Sequence, residues 1–226
     1  MMINIFRKVP LFSSLRDEEV ETIARVSVLK NCPKDTLLLI ADEEGDSLFI
    51  ITKGRVKVVS FSEAGKEVIF SILNEGDFFG DMSLLDGKPR SASVITIEDS
   101  SVYILRRADF NSIIEKHPKI ALKLLTELTS RLRKADSRIE SLALLNVSGR
   151  VAAILLQLAE ESGKKTPDGI VINSRPTHQD LANMAGTTRE TVSRILKQME
   201  SRDYIFLSGK KVTLLDPERL KREMNL

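Results

Sequence analysis

The sequence predicts an α+β chain with an N-terminal β-roll, a long dimerisation helix and a C-terminal winged helix-turn-helix. Three stretches predict it. Ala121, Leu125, Leu128, Leu132, Ala135, Ile139 and Leu142 are spaced 4, 3, 4, 3, 4, 3, an a/d seam suited to packing along an identical partner. Short β-rich runs separated by turn signals fill residues 34–105. Two helical patterns split at Gly186 precede a hairpin with a basic tip.

The elements follow in order. Pro10 to Leu29 reads as one helix, with Ser14 as its cap and Asp17, Glu18, Glu19 and Glu21 in the early turns, where the helix dipole favours acids. The β-rich runs are Thr36–Ile40, Leu48–Thr52, Val56–Phe61, Val68–Leu73, Ala92–Thr96 and Val102–Leu105. Glu44-Gly45-Asp46, Lys53-Gly54, Glu63-Ala64-Gly65-Lys66 and Glu75-Gly76-Asp77 punctuate them. Phe79 to Ser91 carries no strand pattern. Arg107 to Glu115 reads as a short helix, broken at His117-Pro118. From Pro118 to Asn146 the seam helix would run about 43 Å at 1.5 Å per residue. Val147, Val151, Ile154, Leu155 and Leu158 mark the next helix, and Ile170–Ile172 a short strand. Tyr204–Leu207 and Val212–Leu215 flank the hairpin tip Ser208-Gly209-Lys210-Lys211.

At 226 residues the chain suits two small domains. The expected divisions are 1–117, 118–146 and 147–226. Charge is nearly balanced in residues 1–145, with 21 basic against 22 acidic side chains, and positive in 146–226, with 13 against 10. That asymmetry permits a nucleic-acid partner for the last third. Cys32 is the only cysteine, so one chain builds neither a disulfide framework nor a cysteine metal site. Met1 to Pro10 lacks the apolar run of a signal peptide, and no run reaches the length of a membrane span; the expectation is a soluble cytoplasmic protein without a membrane partner. The two histidines, His117 and His178, lie outside the roll, and no Ser-His or Cys-His constellation is present. These features speak against a metal-dependent barrel enzyme and against nucleophilic catalysis, so the chain is expected not to be an enzyme and to need no metal.

Within Thr177 to Leu196, Ala182 is small where two helices cross, and Gly186 suits a left-handed turn between them. Val192, Ile195, Leu196 and Met199 form the apolar side of the second helix. Its other side displays Arg189, Glu190, Ser193, Arg194 and Lys197, which can bond to base edges and phosphates. Thr177, Gln179, Lys210 and Lys211 suit phosphates, which set register without reading bases. Two plainer readings stand beside these. Thr187 and Glu190 match a capping box with Glu190 at its third position, and Glu190 with Arg194 can pair on a solvated face.

Thr187-Thr188-Arg189-Glu190-Thr191-Val192-Ser193-Arg194-Ile195-Leu196 resembles the recognition helix of the cyclic-AMP receptor protein/FNR regulators, and the resemblance covers almost the whole chain. Leu142 to Arg150 resembles that family's hinge. It implies a homodimer, with Leu125, Leu128, Leu132, Ala135, Ile139 and Leu142 at the interface. It also implies a double-stranded inverted-repeat DNA site with half-sites about 34 Å apart, and RNA polymerase as a further partner. The half-site implied is of TGTGA type. Ser193, a residue shared with FNR-like readers, leaves a TTGAT variant open.

The last informative stretch is Phe79 to Ala92. It offers a glycine turn, a short helix start, a carboxylate and an Arg-Ser pair, residue types that together can hold a phosphate beside a hydroxyl. A surface loop in which Arg90 and Asp81 pair with each other explains the same residues. The stretch resembles the phosphate-binding cassette of cyclic-nucleotide-binding domains, making the roll a cyclic-nucleotide-binding-type β-roll. The resemblance implies that Gly80, Asp81, Met82 and Ser83 approach the ligand, Asp81 holds the ribose hydroxyl, and Arg90 with Ser91 binds the phosphate. Asp81 stands where the family usually has glutamate. Ala135 and Asp136 stand where the cyclic-AMP receptor protein has its adenine-contacting Thr-Ser, and Asp42 stands where the roll often has glycine. Cyclic AMP is the first candidate effector, with no other cofactor required. Cyclic GMP, another small effector or action without ligand stay open.

Overall fold

A computed structural model describes residues 6, 7, 9–13 and 15–224. Ser14, the expected cap, lies outside them. The chain divides into two compact units, Met1–Arg131 and Leu132–Leu226.

The expected helix from Pro10 to Leu29 is instead three elements. A 3-10 turn spans Pro10–Phe12. Helix α1 runs Asp17–Val26. Its start is fixed by Glu19, whose carboxylate accepts the Arg16 backbone N–H at 2.7 Å. Strand β1, Val28–Cys32, follows at once. The helical reading fails there because β1 gains a ladder, pairing Val28↔Ile104 through Cys32↔Ser100 with β8 (Ser100–Arg106). Tertiary pairing outweighs the weak local preference of Val-Leu-Lys-Asn-Cys.

The other roll strands are β2 (Leu37–Leu39), β3 (Ser47–Lys53), β4 (Val56–Phe61), β5 (Glu67–Leu73), β6 (Phe78–Phe79) and β7 (Ser93–Thr96). They form two antiparallel four-stranded sheets, ordered β1-β8-β3-β6 and β2-β7-β4-β5. β3 is buried on both faces, and its alternation sorts the core. Leu48 and Ile50 join Phe12, Ile23, Phe110 and Ile120 of the helical layer, while Phe49 and Ile51 meet Val56, Phe79, Val94 and Val102. Asp42 adopts φ 66°, the left-handed geometry that Asp tolerates. Between β6 and β7 lies a six-residue helix, α2 (Asp81–Asp86), entered through Gly80 at φ 82°. Helix α3 spans Arg107–Lys116.

Helix α4 spans Lys119–Leu144 and continues from the first unit into the second. Ile120 and Leu124 are buried in the first unit's core and Leu128 packs against it. Leu125, Leu132, Ile139 and Leu142 of the seam are 59%, 62%, 65% and 53% exposed in the single chain, an apolar stripe facing solvent.

In the second unit, helix α5 (Val147–Ser162) begins at Asn146, whose side chain accepts the Gly149 N–H at 2.9 Å. Strands β9 (Lys164–Thr166), β10 (Gly169–Ile172), β11 (Ile205–Ser208) and β12 (Lys211–Leu214) make a sheet ordered β11-β12-β10-β9. Helices α6 (His178–Ala185) and α7 (Arg189–Ser201) are joined at Gly186, φ 64°. A last helix, α8 (Pro217–Met224), is anchored by buried Leu220. β9 and α8 carry no strong sequence signal: β9 is exposed along its length and exists through its pairing with β10. Among the described residues, no helix is long and apolar enough to cross a membrane.

Candidate functional site

Gly80 and Arg90 face each other across the short helix α2. Burial takes Arg90 to 5% exposure. Its Nη1 donates to the Gly80 carbonyl at 2.9 Å and its Nη2 to the Ser47 carbonyl at 3.1 Å. The Phe49 ring lies 5.9 Å from its guanidinium carbon. A Cβ on Gly45 would sit 2.0 Å from Arg90 Nε, and one on Gly80 would sit 2.7 Å from the Ser47 carbonyl. Both glycines are therefore required for this side chain to lie where it does. Desolvation holds the Arg90 pKa below the usual arginine range, and Arg107 adds to that effect while Asp46 and Asp81 oppose it.

Asp81 begins α2 and is 3% exposed. Arg131 of α4 donates to Asp81 Oδ1 from Nη1 at 3.0 Å and to the Phe78 carbonyl from Nη2 at 2.7 Å, with its guanidinium 4.4 Å from the Phe78 ring centre. Asp81 and Arg90 are thus partnered elsewhere and buried, which removes the surface loop in which they pair with each other. Each also keeps one unmatched atom. Asp81 Oδ2 and Arg90 Nε are buried without a hydrogen-bond partner. A bare acceptor and a bare charged donor in one cassette suit a ligand that carries a hydroxyl and an anion.

The other cassette residues differ in access. Met82 and Ser91 are exposed, and the Ser91 hydroxyl donates to Met82 Sδ at 3.3 Å. Ser83 is buried and its carbonyl accepts from Arg107 Nη2 at 2.7 Å. Ala135 and Asp136 are exposed on α4. Arg131 carries no sequence signal of this role, because it falls between seam positions Leu128 and Leu132 on a charged helix.

On the second unit, Arg189, Glu190, Ser193, Arg194, Lys197 and Gln198 line one shallow depression along α7. Val192, Ile195, Leu196 and Met199 are buried beneath it. The helix starts one residue later than the capping-box reading requires. Thr188 is the N-cap, accepting the Thr191 N–H at 3.3 Å, so Glu190 sits at the second helical position. Its carboxylate, lowered in pKa by its own backbone N–H and the Thr188 hydroxyl, serves the helix start without a capping box. The Ser193 hydroxyl lies 2.8 Å from His178 Nδ1.

Thr177 caps α6 through the Asp180 N–H, and Gln179 donates to Asn183 at 2.9 Å. Lys210 and Lys211 are exposed at the hairpin tip. Arg175 fastens that tip, its N–H donating to the Lys210 carbonyl at 2.9 Å and its Nη2 to the Gly209 carbonyl at 3.3 Å. The last carbonyls of α6 are taken by two arginines: Arg138 donates to Met184 at 2.7 Å and Arg150 to Ala185 at 2.8 Å. These charges meet the negative end of the helix dipole.

Comparisons with known proteins follow this division of labour. Residues 29–117 match the cyclic nucleotide-binding domain and residues 149–223 match the Crp-like helix-turn-helix domain. The CRP-like cAMP-activated global transcriptional regulator of Mycobacterium tuberculosis (strain ATCC 25618 / H37Rv) is 31% identical over 221 residues, covering 98% of this chain and 99% of that protein. The cAMP-activated global transcriptional regulator CRP of Salmonella typhimurium is 36% identical over 184 residues, covering 80% of this chain and 87% of that protein. A solved structure of a CooA mutant from Carboxydothermus hydrogenoformans superposes with a TM-score of 0.78 at 24% identity, covering 89% of each chain.

Replacing Arg131 with Leu strips Asp81 of its partner inside the protein. The expected outcome is a loss of about 1–3 kcal/mol of stability in the first unit. Urea denaturation checks it, and an unchanged midpoint would show that the ion pair contributes nothing.

Proposed function

The chain belongs to the cyclic-AMP receptor protein/FNR family of transcription regulators, and from that premise we propose a homodimeric, sequence-specific regulator controlled by a cyclic nucleotide bound in the roll. The observation that carries the effector reading is the pair of buried, unmatched atoms, Asp81 Oδ2 and Arg90 Nε. A ribose hydroxyl donates where the carboxylate is bare, and a cyclic phosphate accepts from the arginine, returning charge stabilisation lost on burial. Ser91 adds a hydroxyl to the phosphate end, and the Gly80 turn with Met82 and Ser83 brings backbone close to it. Cyclic AMP is the leading candidate. Asp81 is shorter than the family's glutamate, and Ala135 and Asp136 offer adenine a different edge from Thr-Ser. The alternative is the same architecture responding to another small effector, or acting without one.

The dimer reading rests on Leu125, Leu132, Ile139 and Leu142, more than half exposed along one line of α4. A contiguous apolar stripe on a charged helix is what a second copy covers. Two copies would set two α7 helices into successive major grooves of an inverted repeat. There Arg189 would bond guanine, Glu190 a cytosine amino group, and Arg194 a guanine or phosphate, with Thr188 and Lys197 alongside. Thr177, Gln179, Lys210 and Lys211 would hold the phosphates, and RNA polymerase would be engaged from such a site in the cytoplasm.

Calorimetry with cyclic AMP and cyclic GMP tests the effector reading. Binding by the wild type should weaken about tenfold or more in Arg90→Ala, through the lost charge-assisted contact, and less in Asp81→Ala. Absence of binding by either nucleotide would overturn cyclic-nucleotide control. For the dimer, light scattering on Leu128→Lys/Leu132→Lys should report a monomer where the wild type reports a dimer. A monomeric wild type at micromolar concentration would contradict the seam.

A further inference from the structure

The contact between His178 and Ser193 joins the two helices of the DNA-reading motif at its working face. His178 is the first residue of α6, and Ser193 lies one turn beyond Arg189 on α7, within the depression that Arg189, Glu190, Arg194 and Lys197 also line. The two side chains are half-buried and 2.8 Å apart. Two serines in other helices bond back to the preceding turn, Ser141 to the Ser137 carbonyl at 2.8 Å and Ser162 to the Leu158 carbonyl at 3.1 Å. Ser193 does not, and His178 is its one hydrogen-bond partner among the described residues.

A serine hydroxyl has one proton to give and two lone pairs to receive with, and its rotor turns to suit its surroundings. Pinned at one side, it can show a base edge only what remains. A neutral imidazole carries a proton on one nitrogen and accepts at the other. Burial together with the Arg175 and Arg189 guanidiniums, one from the segment before α6 and one from α7, lowers the His178 pKa and favours the neutral ring. With its proton on Nε2, the favoured tautomer of a free side chain, Nδ1 accepts a hydrogen bond from the Ser193 hydroxyl and leaves the Oγ lone pairs free.

We propose that His178 is a specificity-determining positioning residue: by accepting a hydrogen bond from the Ser193 hydroxyl at Nδ1, it fixes Ser193 as a hydrogen-bond acceptor toward the amino group of an adenine or cytosine. The inference rests on the reading of Ser193 as a base-facing residue. Without the ring, the hydroxyl rotates and serves the acceptor groups of thymine and guanine as readily as amino groups.

Selection from random duplex DNA with the full-length protein tests both levels. Ser193→Ala locates the base pair that Ser193 reads. At that pair the wild type should favour adenine or cytosine by about fivefold or more. His178→Phe should erase that preference and leave other positions intact. His178→Asn, which places a polar atom where Nδ1 stood, should keep the preference, and His178→Gln, which reaches only as Nε2 does, should lose it. In the Ser193→Ala background His178→Phe should change nothing further. A Ser193→Ala variant that relaxes one position while His178→Phe and His178→Gln keep it would overturn the role of His178 alone. A Ser193→Ala variant with an unchanged motif would remove the base-facing reading and the proposal with it. Should His178→Phe fail to melt cooperatively, the contrast between Asn and Gln decides.

Discussion

Asp81 and Arg90 put two charged groups inside the sensor roll and leave each with an atom unmatched. Burying an ion costs several kcal/mol unless its bonding is complete, and apolar residues of similar volume usually stabilise a fold at least as well. Here Arg90 is held by two carbonyls, and Asp81 by Arg131 at one oxygen. The local structure is arranged around this constraint. Gly80 takes left-handed geometry and its carbonyl meets Arg90, Gly45 is bare so that the guanidinium can pass, and Phe49 stacks on Phe79 with ring centres 5.0 Å apart. An anion that carries a hydroxyl would complete the bonding of both groups.

Arg131 ties that site to helix α4. It stands on α4, whose apolar stripe runs through Leu125, Leu132, Ile139 and Leu142. Further along the same helix Arg138 donates to the last turn of α6, and Arg150 joins it from α5. Within the first unit α4 therefore carries a contact to Asp81, within the second a contact to α6, and along it runs the stripe that a second copy would cover. Coupling requires that a ligand bind one arrangement of these contacts more tightly than another. The ion pair between Asp81 and Arg131 is the contact on which a hydroxyl arriving at Asp81 would act first.

The architecture was legible where periodicity was long or turn chemistry explicit. The long helix under the heptad pattern, the glycine turn at Gly186 and the strand runs between turn signals all emerge as elements in place. What failed was context. Val28–Cys32 has no strand signature strong enough to detach it from the acidic helix before it, and only pairing with β8 reveals it. Lys164–Thr166 is polar and exposed, so nothing in its composition announces an edge strand. Glu190 matches a capping box by spacing, yet Thr188 caps first and moves the register by one residue. In the cassette, residue types suggested phosphate chemistry but not the partners. That Asp81 would meet Arg131, 50 residues away, and that Arg90 would meet carbonyls, depends on the closed roll.

In the proposed regulator, filling the cassette changes how the chain grips DNA. Fluorescence anisotropy of a selected inverted-repeat duplex, at one fixed salt concentration, measures it with and without saturating cyclic nucleotide. Affinity should tighten by about fivefold or more when the nucleotide is bound. Nucleotide that binds in calorimetry and leaves the duplex affinity unchanged would contradict it.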